Sequence, residues 1–133
     1  MRHRTLELKG HGMVHPRILE RATLIALILQ IVLAFSVHFL TFLPDQAILL
    51  GRMLIAACGG YLYGMEYGRG AAPCALGGAI AGGISVVPAV ILSVILGDAH
   101  GPMIALATGA SLLTGGVGGA FGLWAAELRR RGY

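Results

Sequence analysis

Residues 22–43 read ATLIALILQIVLAFSVHFLTFL and residues 47–67 read AILLGRMLIAACGGYLYGMEY, with only Pro44, Asp45 and Gln46 between them. As a helix rising 1.5 Å per residue, either run is long enough to cross a hydrocarbon core of about 30 Å. A three-residue connection leaves room only for an antiparallel turn, so the stretch predicts a transmembrane hairpin. Two further apolar runs, at about 72–97 and 103–126, flank Asp98, Ala99, His100, Gly101 and Pro102 and repeat the arrangement. The fold class expected is therefore an all-α membrane protein with four transmembrane helices in an up-down bundle. Its transmembrane domain covers residues 22–127, between a basic arm at 1–21 and a basic tail at 128–133.

Composition agrees with that reading. Of 133 residues, 56% are hydrophobic and 12% charged, against about a quarter charged in soluble domains. A soluble domain of this length could not hide so much apolar surface. The net charge of +4 does not point to nucleic acid, because the cations crowd the ends of apolar runs instead of forming a stripe interleaved with aromatics.

Those cations set an orientation. Arg2, Arg4, Lys9, Arg17, Arg21, Arg69, Arg129, Arg130 and Arg131 fall on one side of the four runs, and neither opposite loop contains Lys or Arg. The positive-inside rule puts both termini in the cytoplasm, with Tyr67 and Trp124 near the inner interface. A bacterial inner membrane is the location expected, with anionic lipid attracted to the cytoplasmic face. The first run begins too far into the chain for a cleavable signal and is expected to remain as a helix. Cys58 and Cys74 should lie at different depths and stay free thiols.

Small residues recur every fourth position, which places them on single helix faces. In the second run the series is Ala56, Gly60, Gly64 and Gly68. The fourth run has two adjacent series, Ala107, Ser111, Gly115, Gly119 and Thr114, Gly118, Gly122, Ala126; the third has Gly77, Ala81, Ser85 beside Gly78, Gly82. Such faces let backbones approach closely in lipid, so tight Gly-rich packing of helices 2–4 is expected. The first run carries one smaller, more polar face, Ala26, Gln30, Ala34 and His38. Pro88 should kink the third run and free the Ile84 carbonyl near the bundle centre.

Arg52 is the tenth cation and lies inside a span, heading the small face of the second run. Charged residues at such positions mark functional sites by default. Spacing puts His38 at the same depth, with Ser93 and Thr108 at a similar level, so these four form a candidate ligand site for an anion or a lipid headgroup. Guanidinium binds carboxylate and phosphate through a planar fork. The competing reading has Arg52 snorkel outward and pair with Asp45 or Asp98, clamping the loops. Glu20, Glu66 and Glu127 each have an arginine within four residues, which predicts local ion pairing.

No nucleophile with a base, no metal-ligand cluster and no cofactor motif is present in the sequence. Gly12 and Pro16 spoil the helical i, i+4 pair of His11 and His15, and no Cys or carboxylate cluster accompanies these or His3, so no metal is expected. The function expected is a non-enzymatic accessory or assembly subunit, or a self-associating membrane module, whose partners are the bilayer and either copies of itself or a larger membrane complex. The alternative is a small channel or transporter acting as a homo-oligomer, with an outward-facing site at Arg52 and His38.

Overall fold

The computed structural model describes residues 14–40, 42, 44–98 and 100–132. The first thirteen residues of the basic arm, with Arg2, Arg4, Lys9, His3 and His11, lie outside the described residues, as do Thr41, Leu43, Ala99 and Tyr133. Four helices follow one another: α1 (Pro16–Phe39), α2 (Asp45–Tyr67), α3 (Ala71–Ile95) and α4 (Pro102–Arg130). No strand occurs among the described residues. All four helices are long and apolar enough to cross a membrane.

Local chemistry sets the helix ends. Pro16 and Pro102 open α1 and α4, where a missing N–H costs nothing and φ is already helical. Asp45 stands in the first turn of α2, favourably placed on the positive end of the helix dipole. Gly68 closes α2 in the left-handed region at φ 58°, its N–H bonded to the Gly64 carbonyl, a stop that a side chain would disfavour. Helix α1 starts six residues ahead of the apolar run, so Arg17, Glu20 and Arg21 are helical rather than part of a loose arm. Helix α3 continues through Pro88. Ile84 and Pro88 both face outward, which places the lost hydrogen bond on the outside of α3 and not at the bundle centre.

The interior is built from small side chains. Ala22, Ala26, Gln30 and Ala34 are the buried face of α1, while Ala56, Ala81, Ala89, Ala107, Ser85, Ser93 and Ser111 fill the core of the other helices. Tyr63 is the largest fully buried side chain among the described residues, and a Cβ at Gly77 would overlap its ring. The bulky residues point the other way. Leu24, Ile28, Val32, Phe35, Leu54, Ile84, Ile95, Leu113, Val117 and Phe121 are all exposed. In water this distribution would be inverted.

Helix α4 packs chiefly on α2 and α3; α1 leans on both α2 and α3, and α1 makes no close approach to α4 among the described residues. The contacts between α2 and α4 are made by backbone. A Cβ at Gly60 would collide with the Gly115 carbonyl, one at Gly64 with the Gly119 carbonyl, and one at Gly118 with the Ala57 carbonyl. On the other side of α4, Gly115 abuts the Gly78 carbonyl and Gly119 the Cys74 carbonyl, while a Cβ at Gly82 would come within 2.6 Å of the Ser111 oxygen. Gly59 of α2 receives α1, where an added Cβ would stand 2.8 Å from Ala26 Cβ.

Candidate functional site

Arg52 lies two turns into α2 and is 6% exposed. Its Nη2 donates to Ser93 Oγ of α3 at 2.7 Å. Ser93 can only accept in that bond, because its own hydroxyl donates to the Ala89 carbonyl at 3.1 Å in the preceding turn. The backbone beneath Arg52 is held from the third side, since Gln30 Nε2 of α1 donates to the Arg52 carbonyl at 2.9 Å. Three helices therefore converge on one residue. Gln30 Oε1, buried in the same contact, has no hydrogen-bond partner among the described residues.

The guanidinium borders a cavity of about 30 Å³ whose other walls include Val37, Leu49, Val90, Met103, Asp45 and Asp98. That is room for one or two waters, so any larger acceptor enters only if the apolar walls move apart. Arg52 forms no ion pair with a described carboxylate; the pairs present among the described residues are Arg21–Glu66 and His38–Asp98. Asp45 and Asp98 thus line the cavity without forming an ion pair with the guanidinium.

The four residues singled out by spacing are distributed unequally. Arg52 and Ser93 are bonded to each other. His38 stands one step removed: it is exposed, unlike Ala26, Gln30 and Ala34 of the same face, and its Nδ1 lies 3.0 Å from Asp98 Oδ2. Val37, rather than His38, reaches the cavity from α1. Thr108 does not line it; its Oγ1 is buried without a partner among the described residues, next to the lining residue Ala107.

Several contacts between helices were not legible from the sequence. The bond from Gln30 to the Arg52 carbonyl required knowing the register between α1 and α2, although Gln30 already stood on the right face. The pairing of His38 with Asp98 joins residues 60 positions apart, and no periodicity links them. Local ion pairing of Glu66 gives way to a contact across helices, with Arg21 Nη1 at 3.3 Å from Glu66 Oε1, because the ends of α1 and α2 lie side by side. Both cysteines are free, Cys58 exposed and Cys74 buried. Among the described residues no three His, Cys, Asp or Glu side chains gather as a metal-ligand set.

What this arrangement offers chemically is hydrogen-bond donation from a fixed cation into a small, largely apolar space. No protein-family model, no curated protein and no solved structure matches this chain.

Proposed function

We propose that the chain is a four-span protein of the bacterial cytoplasmic membrane, an up-down bundle with both termini inside, that works as a non-enzymatic accessory or self-associating membrane module. One observation carries the proposal: the side chains are sorted inside out, with Gly, Ala and Ser buried and large aliphatic and aromatic residues exposed on all four helices. Such a surface is stable in lipid, where helices gain from close backbone packing and not from hiding Leu from its surroundings. The Gly60–Gly115 and Gly64–Gly119 approaches support a glycine-zipper reading of the bundle. The short loops leave the membrane-embedded faces as the main recognition surface. The flanking cations support the inside placement of the termini.

Native mass spectrometry after extraction in a mild detergent tests the proposal. A discrete homo-oligomer, or retention of a larger membrane partner, is the expected result. A monomer without any partner under gentle extraction overturns it.

The Arg52 cavity favours a second reading, since a buried guanidinium without a paired carboxylate is costly unless it serves an acceptor. In it the protein is a small channel or transporter, a homo-oligomer with an outward-facing anion or lipid-headgroup site at Arg52 and His38. Flux in liposomes that changes on Arg52→Gln distinguishes it from the first; absence of flux with either protein rejects it.

A further inference from the structure

Because α1 and α4 do not meet, a strip of α2 stays uncovered between them. Its floor is Leu62 and Met65, one wall is Ala22 and Ile25 of α1, and the open space is about 450 Å³. Arg21 of α1 and Arg129 of α4 stand on opposite sides at one end, with Glu66 of α2 also lining the groove. At roughly 10–15 Å³ of such space per water, this groove is large enough for a headgroup.

Charge and polarity are graded along the groove. Two guanidinium groups face a single carboxylate, a net charge of +1 in its lining (2 − 1). The one ion pair there is a single contact at 3.3 Å, on an arginine side chain that is 75% exposed, so most of the Arg21 donors remain open. Arg129 forms no ion pair with a described carboxylate. One turn deeper in each helix the lining turns apolar, from Arg21 to Ile25 in α1 and from Glu66 to Leu62 in α2. A cationic mouth leading onto an apolar floor is the polarity of a phospholipid reversed in charge.

We propose that this groove binds one anionic phospholipid, its phosphodiester held between Arg21 and Arg129 and an acyl chain laid over Leu62 and Ile25. Guanidinium suits the part because its planar fork meets two phosphate oxygens at once. The lipid then supplies a link between α1 and α4 that the described residues do not make. This inference rests on the membrane reading above and goes beyond it in naming a site; diffuse attraction of lipid to the basic ends would need no groove.

The test uses the full chain purified in dodecyl maltoside, titrated with phosphatidylglycerol, with phosphatidylcholine or with inorganic phosphate, and read by native mass spectrometry and by thermal stability. Phosphatidylglycerol is expected to be retained as a one-to-one adduct and to raise the unfolding temperature more than phosphatidylcholine does. At about 1 kcal/mol per arginine near a membrane surface, the Arg21→Gln/Arg129→Gln double variant should bind it about thirtyfold more weakly. Arg17→Gln/Arg131→Gln, which keeps the overall charge of the double variant but spares the groove, should bind as the parent does. Leu62→Trp, which fills the floor and leaves both arginines, should also lose the adduct. Equal binding by all variants, or an equal effect of inorganic phosphate, overturns the lipid site while leaving the membrane assignment intact. A chain recovered from the soluble fraction, without detergent, overturns both.

Discussion

Replacing Gly60 by Ala adds one methyl group where α2 meets α4. The new Cβ would lie 2.8 Å from the Gly115 carbonyl carbon and 3.1 Å from its Cα, and would overlap the carbonyl oxygen. Ordinary contact begins at 3.4 Å, so the carbon alone requires a retreat of 0.6 Å (3.4 − 2.8). Neither partner can swing aside, because both are backbone of uninterrupted helices. The helices themselves must part. A gap of that size forfeits a quarter to a half of the dispersion energy of the atoms it separates, and the neighbouring approaches of Gly64, Gly118 and Gly122 open with it. The expected cost is about 1–3 kcal/mol.

Gly109→Ala is the control, since nothing lies within 4 Å of an added Cβ there and the substitution changes only helix propensity, by at most about 1 kcal/mol in favour of Ala. Unfolding in mixed dodecyl maltoside and SDS micelles, followed by circular dichroism, reads both. The Gly60→Ala midpoint should fall to lower SDS fraction and that of Gly109→Ala should hold or rise. If Gly60→Ala unfolds with the parent, or Gly109→Ala loses as much, α2 and α4 do not meet in this register.

Ser93→Ala removes the side-chain acceptor of Arg52 and should cost about 1–3 kcal/mol, the penalty of stranding a buried donor; the same unfolding titration checks it. Tyr63→Phe deletes the oxygen that accepts the His15 N–H at 3.0 Å and should cost about 0.5–1.5 kcal/mol, with faster amide exchange at the start of α1 by mass spectrometry. A double-mutant cycle on His38→Ala and Asp98→Ala should give a coupling of about 1 kcal/mol or less, because the His38 side chain is 41% exposed and exposed pairs contribute little. A larger coupling there would make that pair a principal tie between α1 and the turn after α3.

Much of the helical architecture was legible because it depends on one-dimensional properties. Run length and the lack of charge are enough to name four apolar helices, whichever neighbours they acquire. The Arg52 region was legible only in part. Its burial follows from its place on the small face of α2, and Ser93 falls within reach once depth is counted from helix ends. The same counting puts His38 in that group, yet near the helix end it turns out to Asp98. Fourfold spacing predicts direction well in mid-helix, where packing on all sides leaves few rotamers, and poorly at a terminus, where a polar loop offers a competing partner.

Length, charge and period are carried by the chain, and they suffice to specify four apolar helices and the faces on which their small residues lie. The packed bundle alone chose which face meets which. It set Gly115 and Gly119 against α3 while their carbonyls receive Gly60 and Gly64 of α2, it set Gly118 and Gly122 against α2, and it left a cationic groove where α1 and α4 fail to touch. Small residues are alike as packing partners. Their pairing is fixed by the mutual fit of whole helix surfaces, which no single segment contains.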